Sequence, residues 1–377
     1  MRDSLARTLM EEFADATGVS GKTRPRRYLW TDAFAVCNFL GLSRQTGDER
    51  FLRFARELVD QVHHILGRHR DDDPRRGWIS GLTEEEGEQH PTRGGLRIGK
   101  TLNEREPDEP PDSQLEWDRD GQYFHYLTKW MHALYRMGRE TGESRYPRWA
   151  AELAATAHNA FSHKMHPGGP KWIVWKMSID LSRPLVSSMG QHDPLDGLIT
   201  CLELQTAETF EAEAGTDLTA AIAVMTEMSA QTRWATQDPL GIGGLLDDAT
   251  RLAQLIFERG VERHELLHQL LVEAELSLQC FRRSYLPSRS AEHRLAFREL
   301  GLSIGIHGLQ RIRHLVAQDR ELAVDSDGLL PYQPLAKQIQ TFWSDPAHRL
   351  SSTWTGHRDI NTVMLATSLA PEGYLQL

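Results

Sequence analysis

Residues 31–66 read TDAFAVCNFLGLSRQTGDERFLRFARELVDQVHHIL, and they hold two helical patterns of different kinds. The first part, residues 31–42, is apolar on nearly every side, which is typical of a helix buried all round. In the second part, apolar side chains recur at helical spacing between charged residues, at Phe51, Ala55, Leu58, Val62 and Ile65. The turn between them, Thr46-Gly47-Asp48, favours a helix C-cap followed by an N-cap. The stretch therefore predicts a helical hairpin with one buried and one amphipathic helix.

The same pair of patterns repeats along the chain. Buried helices are predicted at 123–134 and 195–202, and the turns after them are 141–143 and 215–217. Less regular pairs follow at 243–257 with 264–281 and at 300–314 with 334–343. A last apolar segment, 360–369, is expected to pair with a helix over 4–16 and close a ring. We predict an all-α fold, an (α/α)6 toroid of about six hairpins in one domain over 1–377, with an open solenoid as the alternative.

Two long stretches interrupt the repeats. Residues 67–117 are rich in Pro, Gly and charge, but apolar side chains suited to burial lie among them: Trp78, Ile79, Leu82, Leu96 and Ile98. Because connections of this length are usually functional or disordered, we predict an ordered functional loop here. Residues 166–189 carry Trp-Ile-Val-Trp at 172–175 and predict a short strand. Both insertions are expected at the mouth of the ring, with the functional site.

Composition excludes several classes of protein. The 377 residues carry a net charge of −10, which argues against a nucleic-acid surface. No apolar run approaches the roughly 20 residues that span a bilayer, and no signal peptide is visible. The three cysteines lie in apolar helical segments and predict buried thiols. We expect a cytoplasmic protein without membrane partners and without a cofactor, since no nucleotide-binding glycine motif is present. Its oligomeric state is left open.

Buried helices that open with acidic residues, in a two-layer ring of hairpins, resemble the six-hairpin glycosidase superfamily. The stretches that carry the resemblance are RYLWTDAF, LEWDRDGQYFHY and SMGQHDPLDG, ahead of the first three buried helices. The resemblance implies carboxylates and aromatic side chains around a sugar pocket at these helix starts. It does not by itself imply hydrolysis, because the N-acylglucosamine epimerase group shares the architecture and uses histidines.

Candidate catalytic groups cluster at these helix starts. They are Asp32 before the first buried helix, Asp118, Asp120 and His125 around the second, and His192, Asp193 and Asp196 around the third. Glycoside hydrolysis needs one protonated and one ionised carboxyl group across the scissile bond, and acids from different helices can supply them. A histidine next to a carboxylate can carry a proton near neutral pH. Each aspartate alone is also a common helix cap, so the sequence leaves both interpretations open.

Candidate substrate-binding residues are mostly aromatic. Flat side chains in loops or at helix starts can stack on sugar rings, and we select Trp30, Trp78, Trp117, Tyr123, Trp172, Trp175, Trp354 and His357. A basic run, Arg93, Arg97 and Lys100, suits an anionic sugar, although pairing with the acids of residues 104–109 is an equal alternative.

One short motif in the sequence resembles a zinc-binding site. His264, Glu265 and His268 match H-E-x-x-H, in which two histidines one turn apart bind zinc. The flanking residues are charged and the segment has the pattern of an outer helix, so we predict no metal site.

Three hypotheses for function remain. The first is a carbohydrate-active enzyme, a glycoside hydrolase for a small or oligosaccharide substrate that uses paired carboxylates. The second is a sugar epimerase or isomerase whose base is a histidine such as His125, His192, His307 or His357. The third is a non-catalytic carbohydrate-binding or scaffold protein, which would be favoured if the 67–117 loop plugged the mouth of the ring with its acids paired to arginines.

Overall fold

The computed structural model describes residues 2–164, 169, 171–188, 190–207, 217–230 and 232–377. The helices in this part of the chain are α1 (Arg2–Thr17), α2 (Leu29–Thr46), α3 (Glu49–Leu66), α4 (Glu84–Gln89), α5 (Phe124–Thr141), α6 (Arg145–Phe161), α7 (Asp193–Gln205), α8 (Thr219–Ser229), α9 (Pro239–Arg259), α10 (His264–Ser284), α11 (Ala296–Leu315), α12 (Arg320–Leu329), α13 (Gln333–Ser344), α14 (Ser352–Thr355), α15 (Arg358–Leu369) and α16 (Glu372–Leu375). Short strands are β1 (Gln122–Tyr123), β2 (Ser162–Lys164), β3 (Lys171–Ile173), β4 (Lys176–Met177) and β5 (Pro184–Val186). The molecule is 65% helical, which confirms the all-α prediction.

The hairpin predicted from residues 31–66 is present. Helix α2 is buried over nearly its whole circumference, whereas α3 buries the face that carries Phe51, Leu58 and Val62. Gly47 between them has a φ of +68°, a conformation that side chains with a Cβ rarely adopt. The side chain of Asp48 then accepts a hydrogen bond from the Arg50 N–H at the start of α3.

Two compact units make up the chain. One consists of residues 14–43 and 48–232, where α5 packs on α6 and α7, and α7 packs on α8. The other consists of residues 1–13, 44–47 and 233–377, where α9 and α11 form the largest helix contact. A Cβ on Gly243 would lie 2.2 Å from the backbone oxygen of Gly301, so glycine lets these two helices approach closely. A single domain over 1–377 stays a prediction.

The two insertions contain the short strands and loops of the first unit. In the 67–117 loop, Trp78, Ile79, Leu96 and Ile98 are buried, as expected, and Leu82 is half-buried. Strand β1, directly before α5, pairs antiparallel with β4 of the second insertion, and β4 pairs with β5. The insertion 166–189 lies partly outside the described residues, as does the turn predicted at 215–217. The described strands β3, β4 and β5 confirm that this insertion contains β-structure.

Two details differ from the sequence prediction. Helix α12 between α11 and α13 was not predicted, because its apolar positions are few. Cys37 and Cys201 are buried but Cys280 is only half-buried, near the end of α10. Pairing of α1 with α15 stays a prediction. Among the described residues, no helix is both long and apolar enough to span a bilayer.

Candidate active site

The N-terminal parts of α5 and α7 bring a carboxylate and a lysine together. Asp196 on α7 is 5% exposed, and its Oδ1 lies 3.0 Å from the Nζ of Lys129 on α5. The hydroxyl of Thr128 donates a 2.5 Å hydrogen bond to Oδ2 of the same carboxylate. These contacts hold Asp196 as a buried, ion-paired carboxylate between two helices.

Asp193 is a second buried acid, one helical turn before Asp196. Its side chain is the first of α7 and is 6% exposed, and its Oδ2 has no hydrogen-bond partner in the described part of the chain. Burial raises the pKa of this carboxyl to about 7, and the charge of Asp196 adds to the effect, whereas a backbone hydrogen bond at Gly190 and the charge of Lys129 oppose it. Near neutral pH a large fraction of Asp193 therefore carries a proton while Asp196 is paired with a cation.

His125 lies in the first turn of α5, where the charges of both Asp196 and Lys129 reach it. Burial lowers the pKa of this imidazole to about 4, with Lys129 acting in the same direction and Asp196 against it. Its Nδ1 is buried without a hydrogen-bond partner among the described residues. The ring is therefore neutral at neutral pH and has an unused polar atom in the neighbourhood of Asp196.

His125 contacts the rings of Tyr123, Tyr126 and Trp175, and three further rings touch these in turn. We call the six rings the aromatic cluster: Tyr28, Trp30, Trp117, Tyr123, Tyr126 and Trp175. The rings of Tyr123 and Trp175 stack at 5.3 Å, and the Tyr126 ring meets the His125 ring edge-on at 4.7 Å. The hydroxyls of Tyr28 and Tyr126 lie 2.7 Å apart. Trp117, which is 54% exposed, meets Trp175 edge-on at 5.0 Å and presents the most accessible ring of the cluster.

The other predicted acids have different surroundings. Asp120 is completely buried, and its carboxylate accepts from the guanidinium groups of Arg97 and Arg70 and from two backbone N–H groups, of Gly99 and Gly121. Asp32 is 1% exposed and accepts from the Tyr28 N–H, which is a helix-capping contact, with an Arg27 nitrogen 3.5 Å away. Asp118 is exposed. The structure therefore gives Asp120 and Asp32 structural partners and brings only Asp193 and Asp196 together as a pair.

The remaining predicted residues of this unit are dispersed. His192 is half-buried and immediately precedes α7, next to Asp193. Arg97 is committed to Asp120, and Arg93 lies 3.3 Å from Glu152. Trp78 is buried beneath Arg68, and Trp172 lies on β3 opposite His163. Arg93, Arg97 and Trp78 thus have structural contacts of their own.

Two predicted residues belong to the other compact unit. Trp354 is buried and stacks on Trp343 with ring centroids 5.7 Å apart. His357 is exposed before α15, and its ring meets Phe297 edge-on at 5.7 Å.

The H-E-x-x-H segment forms the first turn of α10. The Nδ1 of His268 lies 2.6 Å from a carboxylate oxygen of Asp325, so this histidine already has a protein partner. Among the residues that the structure describes, no group of three or more side chains suits a metal ion.

Sequence reasoning missed Lys129, Thr128, Tyr126 and Tyr28. Lys129 directly precedes Trp130 and Met131 in a largely buried helix, and a lysine in such a position signals a buried acidic partner. Nothing in the sequence indicates that the partner is Asp196, because the two residues are 67 positions apart. Tyr28 lies inside the stretch RYLW, where only the tryptophan attracted notice.

No protein-family model and no curated protein matches this chain. Solved structures are similar to it. The GH76A α-1,6-mannanase from Salegentibacter sp. HEL1_6 matches with 11% identity and a TM-score of 0.55 over 98% of this chain and 99% of that chain. A second structure of that enzyme, with 12% identity and a TM-score of 0.56 over 98% and 99% of the two chains, is an inactive variant in which two consecutive aspartates are alanines, in complex with an α-1,6-linked mannotetraose. The cellobiose 2-epimerase from Spirochaeta thermophila DSM 6192 matches with 12% identity and a TM-score of 0.50 over 96% and 97% of the chains.

These similarities establish the fold. Both kinds of structure are six-hairpin, glycosidase-like (α/α)6 toroid proteins, and they match nearly the whole chain. The predicted fold class, an (α/α)6 toroid, is therefore confirmed.

Proposed function

We propose that this chain is a glycoside hydrolase in which Asp193 is the general acid and Asp196 is the carboxylate that acts as nucleophile or base. The observation that carries the proposal is the different environment of these two neighbouring acids. The pKa of Asp193 is raised to about 7, whereas Asp196 is paired with Lys129. Two carboxyl groups with separated protonation states are what glycoside hydrolysis requires.

The solved structures support a carbohydrate substrate. Two of the proteins that share the fold are named as α-mannanases, and one was inactivated by removing two aspartates. The two aspartates removed from the inactivated mannanase are consecutive in its sequence, whereas Asp193 and Asp196 are one helical turn apart. We therefore take α-1,6-linked mannotriose and mannotetraose as the first substrates to assay.

The aromatic cluster provides the surface for a sugar. Trp117 offers an exposed indole ring against Trp175, and Trp175 in turn stacks on Tyr123 and His125. Aromatic faces of this kind bind the C–H face of a sugar ring while hydroxyls reach polar groups such as His125 and Lys129. We propose Trp117, Trp175 and Tyr123 as substrate-binding residues.

The spacing on α7 leads to a stereochemical expectation. Side chains at positions i and i+3 of a helix have Cβ atoms about 5–6 Å apart. Carboxyl groups about 5–5.5 Å apart are characteristic of retaining glycosidases, whereas inverting enzymes need about 6.5–9.5 Å. We expect hydrolysis with retention, which NMR of the first-formed anomer would check.

The decisive experiment compares three variants on the same oligosaccharides. Asp193→Asn and Asp196→Asn should each lower kcat/KM by about 10²–10⁴-fold, because each removes one of the two ionisable groups. Asp108→Asn is the matched control, since Asp108 is an exposed aspartate of the 67–117 loop and should keep full activity. Full activity in either of the first two variants would sink the assignment.

A second candidate function is sugar epimerisation with His125 as the base. The observation that favours it is a neutral imidazole, with its pKa lowered to about 4 and its Nδ1 without a hydrogen-bond partner among the described residues, inside the aromatic cluster. One solved structure with this fold is named a cellobiose 2-epimerase. NMR of the products separates the two, since an epimerase yields one altered sugar and no second one, and His125→Gln would then abolish the reaction.

One observation favours the hypothesis of a non-catalytic binding protein. Acids of the long loop are paired with basic groups, such as Asp73 and Glu104 with Arg75, and Glu116 with Arg105. Sugar binding without turnover of any oligosaccharide would favour it. The cytoplasmic compartment and the lack of nucleic-acid partners remain predictions from the sequence.

A further inference from the structure

Lys100 is a half-buried cation at the edge of the aromatic cluster. Its Nζ lies 5.4 Å from the centre of the Tyr28 ring, a cation–π arrangement. Within the part of the chain that the structure describes, its ammonium group has neither a hydrogen bond nor an ion pair. An ammonium that has lost part of its water without gaining a carboxylate favours an anion from outside.

The neighbouring cations differ from Lys100 in this respect. Lys129 pairs with Asp196 at 3.0 Å, and the buried Lys176, which lies over the Tyr123 ring, pairs with Glu116 at 3.2 Å. The two arginines of the basic run are also occupied, Arg97 by Asp120 and Arg93 by Glu152. In the basic run, Arg93 and Arg97 therefore form ion pairs within the protein, whereas Lys100 forms none among the described residues.

The position of Lys100 connects it to the proposed site. Tyr28, beneath its ammonium, meets Tyr126 through hydroxyls 2.7 Å apart, and the Tyr126 ring contacts His125. Two rings thus separate Lys100 from the histidine next to the acid pair. Asp120 and Glu116 are already matched by cations, and Asp118 is exposed to water, where its charge is screened.

We propose that Lys100 binds an anionic substituent of the sugar, a carboxylate or a phosphate, and so makes the site selective for acidic sugars. This inference rests on the proposed function, because it assumes that sugars bind at the aromatic cluster. An ammonium binds a carboxylate and a phosphate through the same charge-assisted hydrogen bonds, so both sources belong to one proposal.

The test is a set of NMR titrations of the full chain with D-mannose, D-mannuronate and D-mannose 6-phosphate. We expect an acidic sugar to bind about five- to tenfold more tightly than mannose, with the preference falling as salt rises from 0.05 to about 0.5 M. Lys100→Met should abolish the preference and leave the affinity for mannose unchanged. Lys337→Met is the matched control, since Lys337 is an exposed lysine on α13 of the other unit, and it should keep the preference.

The outcomes distinguish this inference from the proposed function. Tighter binding of mannuronate alone assigns the site to carboxylates, and tighter binding of mannose 6-phosphate alone assigns it to phosphates. Equal affinity for all three sugars, or a preference that survives in Lys100→Met, overturns the inference while hydrolysis by the Asp193–Asp196 pair still stands. If none of the sugars binds, the inference about Lys100 fails, and the proposed function is decided separately by the Asp193 and Asp196 variants on oligosaccharides.

Discussion

Asp120 and Asp193 both lie at the start of a buried helix, and each is close in sequence to a glycine, yet their surroundings are opposite. Asp120 receives two guanidinium groups and two backbone N–H groups. Asp193 has one oxygen without a hydrogen-bond partner among the described residues and a pKa raised to about 7. A buried acid with every acceptor satisfied stabilises the fold, whereas a buried acid without such partners keeps its proton and remains available for chemistry. The comparison therefore assigns a structural role to Asp120 and a proposed chemical role to Asp193, although the two residues have similar sequence contexts.

The largest effect on stability is expected at the satisfied acid. Asp120→Ala leaves Arg97 buried without its carboxylate, and removing one partner of a buried ion pair costs about 3–5 kcal/mol. Urea denaturation followed by circular dichroism would measure the loss. A change below about 1 kcal/mol would show that water or another group compensates Arg97, and the structural role assigned to Asp120 would be wrong.

The pH dependence of stability should reveal Asp193. Its pKa is raised in the folded state from 3.8 to about 7, so the folded chain holds a proton that the unfolded chain has released. Stability from this group is therefore present below about pH 4 and is lost as the pH rises toward 7.

In Asp193→Asn this loss is absent, since the amide does not titrate. Between pH 5 and 8 the variant should gain on the order of 2 kcal/mol relative to the native chain. His125 and His63 act in the opposite direction, because their pKa values are lowered to about 4 and about 3, but they contribute equally to both proteins. Parallel stability curves for the two proteins would contradict the shifted pKa.

An intermediate loss of stability is expected when the contact between Lys129 and Asp196 is removed. Lys129→Met removes the cation from a buried, hydrogen-bonded carboxylate, and we expect a loss of about 1–3 kcal/mol. Because the charge of Lys129 also opposes protonation of Asp193, the acidic group in the pH–rate profile should move to higher pH. An unchanged profile would show that Lys129 only supports the fold.

The smallest effect on stability is expected at Trp117, which is 54% exposed. Trp117→Ala should change the free energy of unfolding by less than about 0.5 kcal/mol, since little packing is lost. If the ring binds sugar, KM should rise about tenfold at nearly constant kcat, because loss of about 1.4 kcal/mol of binding energy weakens binding tenfold. Unchanged KM would remove Trp117 from the proposed site.

Much of the fold could be predicted from the periodicity of apolar residues alone. The hairpin of α2 and α3, and the buried helices α5 and α7, follow from apolar spacing and glycine turns, which are local signals. For the candidate site, the sequence predicted only a set of candidate residues and not the contacts among them. Whether an acid is satisfied depends on partners from distant segments, such as Arg97 for Asp120 and Lys129 for Asp196, and no spacing rule connects residues 67 positions apart. The sequence could therefore name Asp193 without distinguishing it from Asp32 or Asp120.

The proposed acid pair lies on helices and the proposed sugar-binding residues lie in the insertions, and this separation bears on how the proposed enzyme could diversify. The acid pair is fixed on α7, with its lysine on α5, whereas Trp117, Trp175 and Lys100 come from the two insertions. Strands β1 and β4 join the second insertion to the residues just before α5, so a change in loop length is anchored close to the reacting groups. Loop exchange between homologous chains therefore offers a route to new sugar preferences that leaves the acid pair in place.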